Sequence, residues 1–522
     1  MGRRHVFSDR SVINREQGSS HTSTQLMLNE KLEVNLRYVL DEFGESIDLV
    51  CRQIPFGSTG FLSAVLYLDS LADEKTINQQ IIQSVQTIEI DSDSAFSNPQ
   101  EIMELFSDRL LALADVESLT TLDELIEAIL RGRTVLLVDE CTLGLGMSTI
   151  GWESRSIKEP QNENEVRGPK EAFIENLSTN LAMIRRKINN RNVRFTVLVL
   201  GSQTNTNVCL AYLNGIAPQS LVDEVKSRMG KIDASSLFET NDIEEWIQDH
   251  PYSVFPQMEI TEKPDRVAAM MLDGKIAILV DGTPHSLIVP TVFMQYFTTT
   301  SDYYTNFYFS SLLRGLRLFA FIIALITPAL YIAITTMHQE MLPTILALEI
   351  AGTRSDVPFP AVVEALVMEI AFELLREAGI RLPKVAGQAI SIVGALIIGE
   401  ASVQAGIVSP FMVVVVAITG ISSFAIPSFS LSQTVRMLRF PLMLLASILG
   451  LPALALAMLC LLTYMSALKS FGIPYLSPFS PIQIGKWKDS IIRFPLPQLV
   501  RTKQKSNRSV HHDRNEFNPE DW

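Results

Sequence analysis

The hydrophobic and polar positions of this chain follow two patterns, and the change falls near residue 310. Before it, short apolar runs alternate with polar stretches of helical period; after it, apolar runs of membrane length follow one another. In the first half two pairs of segments recur. Val65-Leu66-Tyr67-Leu68-Asp69 and Cys209-Leu210-Ala211-Tyr212-Leu213-Asn214 each lead into a polar, helix-like run, to Ser84 and Met229. Gly132 to Asp139 and Gly274 to Asp281 are both glycine-started apolar runs that end in aspartate, 72 residues after Tyr67 and 69 after Tyr212. Each unit predicts a short strand, an amphipathic helix, a further helix and a buried strand, the α/β pattern, here duplicated. Thr120, Thr121, Asp123 and Glu124 open a helix that runs to Leu130, and Asp242 to Ile247 is its equivalent in the second copy. The polar stretch from Glu153 to Lys170 is a linker by composition.

In the second half, Leu318 to Thr336 is 19 residues without a charge, preceded by Arg314 and Arg317 and interrupted by Pro328. That is about what a ~30 Å hydrocarbon core needs. Val385–Ser409 is apolar except for Glu400 and Gln404, Phe411–Phe429 carries no charge, and Phe440–Leu468 is a 29-residue uncharged run broken at Gly450 and Pro452. Between the first two lies an amphipathic helix over residues 359–377, with Glu364, Glu369, Glu373 and Glu377. At about 100° per residue the last three fall within about 80° of one another. Gly387, Gly394, Gly399, Gly406, Gly420 and the pair Ser422 and Ser423 favour close helix packing. Arg376, Arg381 and Lys384 mark one inner loop, Arg436 and Arg439 another, and Lys486, Lys488, Arg493, Arg501, Lys503 and Lys505 place the tail inside as well. Five crossings would put that tail outside, so one segment is expected to be re-entrant or interfacial, and the run broken at Gly450 is the suspect. The expected organisation is a disordered leader (1–30), an α/β subdomain (31–150), a linker (151–172), a second α/β subdomain (173–300), an α-helical polytopic membrane domain (311–470) and a basic polar tail (471–522).

Charge sharpens the division. The 522 residues carry 43 Lys and Arg against 57 Asp and Glu, net −14, and of these residues 311–522 hold 17 basic and 13 acidic, so the excess of acid lies wholly in the first half. Such a balance argues against nucleic-acid binding, which needs a basic face. A mean hydropathy of +0.21 fits a chain that is part soluble and part membrane-embedded. With Arg3 and Arg4 but no apolar core, the leader is not a signal peptide, and the acidic half is expected in the cytoplasm. Cys51, Cys141, Cys209 and Cys460 form neither a CxxC motif nor a regular framework, so no zinc site or disulfide is implied.

Little in the first half points to catalysis. Gly144-Leu145-Gly146 lacks the lysine of a phosphate loop and follows the wrong order of elements for a dinucleotide fingerprint. Asp139 and Asp281 could meet a ligand, although a strand-ending Asp more often closes a turn. His285 has no partner that sequence can place, and no cofactor is expected. In the membrane half the acidic stripe is either the wet face of an interfacial helix or the lining of a cation path in an oligomer. Glu400 within an apolar span is a functional-site hypothesis by default, its alternative being a carboxylate paired inside the bundle, with Gln404 one turn away on the same face.

From Glu153 onward the chain resembles the A subunits of the GerA family of spore germinant receptors. The resemblance is carried by Arg155 to Pro160, Val166-Arg167-Gly168-Pro169-Lys170-Glu171, Thr261 to Asp265, Val280 to Pro284, Asp302 to Tyr304 and Arg314 to Arg317. In the membrane half it continues through Pro328 to Tyr331, His338, Pro358 to Pro360, Glu364, Met368-Glu369, Glu373 to Pro383 and Ile392 to Gly394. Lys170, Ala172 and Lys263 depart from the family's usual residues. The resemblance implies a non-enzymatic protein of the spore inner membrane that works with a transporter-like B subunit and a lipoprotein C subunit. It also implies a ring of A subunits forming a channel that releases monovalent cations when nutrient binds the complex. On that footing Glu364, Glu369, Glu373, Glu377, Glu400 and Gln404 are candidates for the cation path, and Arg167, Gly168, Pro169, Arg314 and Arg317 for coupling or assembly. The alternative is a non-conducting membrane scaffold that organises other germination proteins.

Overall fold

The structure, a computed structural model, describes residues 26–44, 46–57, 61–87, 103, 115–151, 160, 163, 167–381, 394, 399–482, 487 and 489–498. Of the disordered leader expected over 1–30, residues 1–25 lie outside the described residues, as do most of the linker, Lys384, Gly387, Lys486, Lys488 and the basic residues after 498, whereas 26–30 are ordered: Met27 bridges to Thr121 and Leu28 is buried, its amide donating to the Thr120 carbonyl. The chain divides into two compact units. One draws on the described parts of Met1–Asp41, Val50–Leu68 and Ala72–Ile150, and the other on Glu42–Leu49, Asp69–Leu71 and Gly151–Trp522.

The first unit holds α1 (Leu32–Phe43) up to Asp41, β1 (Leu49–Pro55) from Val50, β2 (Leu62–Leu68), a helical segment α2 (74–86), β3 (Val116–Leu119), α3 (Leu122–Leu130), β4 (Arg133–Val138) and β5 (Gly144–Ser148). Its five-stranded sheet has the order β1-β2-β4-β5-β3. The second unit begins with α4 (Leu177–Lys187), β6 (Val193–Leu200), β7 (Thr206–Leu213), α5 (Gln219–Met229), α6 (Thr240–Ile247), β8 (Glu259–Thr261), α7 (Pro264–Leu272), β9 (Ile276–Val280) and β10 (Ser286–Val289), and its sheet repeats the order as β6-β7-β9-β10-β8. The described strand-to-strand registers are antiparallel, for example Val65 opposite Leu136 and Leu210 opposite Ile278. The α/β pattern is therefore realised with antiparallel sheets, because each copy holds short strands that its apolar runs do not advertise.

The copies also share their helix starts. Asp139 Oδ1 accepts from Leu32 N at 2.9 Å and Asp281 Oδ1 from Leu177 N at 3.1 Å, so each strand-ending aspartate satisfies an orphan donor of the first helix of its own copy. Asn35 and Asn180 each close the preceding loop, taking the amide of Asn29 or Ile174 and donating back to its carbonyl. In α3 the cap is reciprocal: Glu124 N donates to Thr121 Oγ1 and Thr121 N to Glu124 Oε2. Gly144 and Gly146 lie in buried strand β5 rather than in a phosphate loop. A Cβ on Gly144 would come within 2.9 Å of Leu137, and one on Gly146 within 3.3 Å of Leu119.

A helical bundle follows: α8 (Phe307–Thr336), α9 (Thr344–Arg354), α10 (Ala361–Arg381), α11 (Pro410–Phe424), α12 (Phe429–Leu449) and α13 (Leu451–Ala467). Among the described residues only α8, which runs unbroken through buried Pro328, is long and apolar enough to cross a membrane by itself; α11 and α13 are apolar but shorter. Most of the run from Val385 to Ser409 lies outside the described residues. The long run from Phe440 divides at Gly450, whose φ of +67° ends α12, and Pro452 opens α13.

Contacts fix the helix directions. α8 and α12 start, and α13 ends, beside the second α/β copy, as shown by Arg314 on Asp302, Thr434 on the Val254 carbonyl, and Phe293 N on the Tyr475 carbonyl just beyond α13. At the opposite end Gly450 meets Met337 and His338. α10 and α11 both run back toward the α/β copy, since Glu364 meets Ser409 at their starts and Arg376 meets Ser423 near their ends. The split at Gly450 thus supplies an additional pass, and the chain returns to the end where the bundle began, where Asp489 and Arg493 bind.

Candidate functional site

Two polar centres stand out, one at the junction of the second α/β copy with the bundle and one inside the bundle. The junction forms around Asp302, in the short helix Ser301–Tyr304 that leads into α8. Asp302 Oδ2 accepts from Arg314 Nε at 3.0 Å and from Arg317 Nη1 at 2.9 Å. Both arginines point back from the first turns of α8, and all three residues are buried or nearly so. Arg314 also donates to the Asp489 carboxylate (3.0 Å) and carbonyl (2.8 Å), and Arg317 to the Phe297 carbonyl (3.0 Å). Arg493 donates to the carbonyls of Asp302 (2.6 Å) and Thr305 (2.8 Å), and Tyr303 to Asp489 (2.9 Å). Burial alone would raise the Asp302 carboxyl, but the Arg317 hydrogen bond and the charges of Arg317 and Arg314 outweigh it and hold it below the usual carboxylate range.

A second cluster backs this junction. Arg266, on α7, pairs with Glu259 on β8 and donates to the carbonyls of Thr298 (2.8 Å) and Gln295 (3.3 Å), while Gln295 links Glu259 to Lys275. Glu163 accepts from Thr261 Oγ1 (3.0 Å) and Glu262 N (3.3 Å), and burial pushes its carboxyl up to about 7 against the pull of Arg266. His285 lies between Glu239 (3.0 Å) and Glu262 (3.3 Å), partners distant in sequence, and its pKa is raised by the hydrogen bond to Glu262 despite partial burial.

Inside the bundle, the acidic stripe of α10 meets arginine. Glu369 pairs with Arg439 at 2.5 Å, both buried, and Arg439 Nε also donates to the Ala324 carbonyl at 3.0 Å. Glu373 is held by Arg436 at 3.0 Å and Arg376 at 3.6 Å, and Arg376 donates to Ser423 Oγ at 2.7 Å between the rings of Phe372 and Phe424. Gly420 admits the Phe372 ring, to which a Cβ would come within 2.6 Å. Glu364 takes Arg354 at 3.2 Å and the Ser409 amide at 3.0 Å. Arg436 and Arg439 thus lie within α12 and not in a loop: an arginine opposite a buried carboxylate is tolerated inside a bundle, whereas a search for uncharged windows breaks the segment there. Glu377 is exposed and, among the described residues, pairs only with Arg381, one turn on.

Glu400 differs from these. It is exposed and accepts from Gln404 Nε2 at 3.1 Å, with no cation partnered to it among the described residues. Arg167 and Gly168 are exposed and Pro169 is half-buried. No hydrogen bond or ion pair among the described residues joins them to Arg314 or Arg317.

The chain is similar to several known proteins. Residues 37–505 match the family model described as Bacillus/Clostridium GerA spore germination protein. Spore germination protein KA of Bacillus subtilis (strain 168) is 42% identical over 471 residues, 90% of this chain and 86% of that protein. Spore germination protein GerLA of Bacillus cereus is 38% identical, with 92% of this chain and 98% of that protein covered. The uncharacterized membrane protein YfkQ of Bacillus subtilis is 41% identical with 87% of each covered. The crystal structure of the N-terminal domain of the A subunit of the Bacillus megaterium spore germinant receptor GerK3 aligns with 52% of this chain and 98% of its own, at 31% identity and a TM-score of 0.42. The chain therefore belongs to the GerA family, as a spore germinant receptor A subunit.

Proposed function

We propose that the chain acts in the spore inner membrane as the A subunit of a nutrient-sensing receptor, with a transporter-like B subunit and a lipoprotein C subunit, and that copies of it surround a path for monovalent cations. The duplicated α/β region faces the cytoplasm on this reading, supported by Arg314, Arg317 and Arg493 at one end of the bundle. The observation that carries the cation path is Glu400 with Gln404: an exposed carboxylate with no arginine partner among the described residues, where Glu364, Glu369 and Glu373 each have one. A charge so placed is stable only against water or a polar partner, which a pore between subunits provides. Glu369 and Glu373, expected to attract cations, are better suited to lock α10 to α12, and their separation from Arg439 and Arg436 is a step that opening could use. The Asp302 junction would pass movement of the α/β copy to α8.

A non-conducting scaffold is favoured by one observation, the neutralisation of most of the acidic stripe by arginine. Cation flux through liposomes holding the chain with its B and C partners separates the two readings. The channel reading expects nutrient-triggered flux that Glu400→Gln lowers while membrane insertion is unchanged. Absence of flux with insertion and assembly confirmed favours the scaffold.

A further inference from the structure

Between α6 and β8 the chain makes a turn whose tip is Tyr252, 100% exposed, with Val254 39% exposed beside it. The turn is held firmly. Buried Gln257 takes the His250 amide on its Oε1 (3.0 Å) and donates to the His250 carbonyl (2.7 Å), Ser253 N donates to the same carbonyl (3.0 Å), and Ser253 Oγ bridges to the backbone of Phe255. Fixing a backbone in one conformation costs entropy. A pinned turn that presents a tyrosine wholly outside the chain is therefore built for contact with something else.

Its position identifies the partner. Thr434, in the second turn of α12, donates to the Val254 carbonyl at 2.7 Å, and buried Phe255 packs against Tyr464 in the last turn of α13 and against Tyr475. The turn sits beside the end of the bundle where the outward apolar surfaces of these helices begin, with Phe429, Leu462 and Tyr464 all more than 40% exposed. Tyrosine at such a boundary keeps its ring against acyl chains and its hydroxyl among headgroups.

We propose that the 250–254 turn is a membrane anchor, with Tyr252 and Val254 inserted into the interfacial layer of the lipid bilayer, so that the second α/β copy is held to the lipid surface as well as to the bundle. The occupant is lipid because the turn is joined to α12 and α13 at the end where their exposed apolar residues Phe429, Leu462 and Tyr464 lie. The proposal rests on the reading that the bundle spans the membrane, and the test separates the two.

The full chain is placed in nanodiscs of phosphatidylcholine and phosphatidylglycerol, with Cys51→Ser in every variant. Cys141 and Cys209 are buried, and native Cys460, exposed on α13, is the reference label site. A second variant carries Cys460→Ser and Tyr252→Cys; the fully exposed side chain at 252 can be replaced without disturbing the core. A fluorescent thiol label is then quenched by nitroxides on the lipid headgroup or at mid-chain. The expected result is loss of fluorescence at 252 mainly with the headgroup quencher, and at 460 mainly with the mid-chain quencher. Quenching at 460 with none at 252 overturns the anchor, whether the 252 label is open to aqueous iodide or shielded from it by protein. No quenching at 460 overturns the spanning reading itself.

Discussion

The two α/β copies share a sheet order and the same aspartate and asparagine devices, yet they treat charge differently. In the first copy the ion pairs are surface pairs: Arg133 binds Asp115 and Glu117, whose side chains are 57% and 53% exposed. In the second, Arg185 binds Asp48 with both side chains buried, Arg266 binds Glu259, and Arg314 and Arg317 converge on Asp302. Since among the described residues one copy folds the same sheet order without such pairs, the sheet does not require them. They stand where the second copy meets other parts of its own unit: the 42–49 segment at Asp48, residues 293–300 at Arg266, and the first bundle helix at Asp302. Buried ion pairs add little net stability but are costly to break, so they are suited to fixing how elements join.

That comparison fails if removing a buried pair costs no more than removing a surface one. Arg185→Ala leaves Asp48 buried without its guanidinium and should destabilise the second unit by about 3–5 kcal/mol, whereas Arg133→Ala should cost less than about 1 kcal/mol. Amide hydrogen exchange in the full chain reads both, at α4 and at β4. A smaller effect tests the shared part of the comparison. Asp139→Ala and Asp281→Ala each orphan one helix amide, and each should cost about 1 kcal/mol, seen as faster exchange at the starts of α1 and α4. Unequal losses would mean that the caps are not equivalent.

The smallest effect belongs to His285. Its pKa is raised in the folded chain by Glu262 and Glu239, so the imidazolium is stabilised. The contribution is complete below the ordinary imidazole value of about 6.5 and is lost as pH rises through the folded value. Protection of the amides of Thr283, His285 and Ser286 should fall with rising pH across neutrality, and in His285→Gln that part of the pH dependence should vanish.

Parts of this arrangement were legible in the sequence for clear reasons. The central strands of each copy are buried on both faces and read as continuous apolar runs, so Tyr67 to Asp139 and Tyr212 to Asp281 revealed the duplication. β3 and β8 are too short to leave a periodic signal, and β5 begins with glycines that suggest a loop. Helices α1 and α4 escaped because polar residues dilute their apolar faces; the spacing of Asn35 and Asp139, matched by Asn180 and Asp281, was a signal available for them. The acidic stripe of α10 was visible, but its partners were not. Arg439 is 70 residues from Glu369 and Arg436 is 63 from Glu373, and no local pattern links positions that far apart. Arg314 and Arg317 were noticed as a charge pair flanking an apolar run, while their convergence on Asp302 requires the fold.

The central claim is that the Asp302 junction transmits nutrient binding to a conducting bundle. The most direct test is potassium release from liposomes holding this chain with its B and C partners, in native form and with Arg314→Ala, insertion and assembly being verified for both. The account predicts nutrient-triggered release from the native complex and loss of the nutrient response in Arg314→Ala. Equal, nutrient-dependent release from both would contradict it.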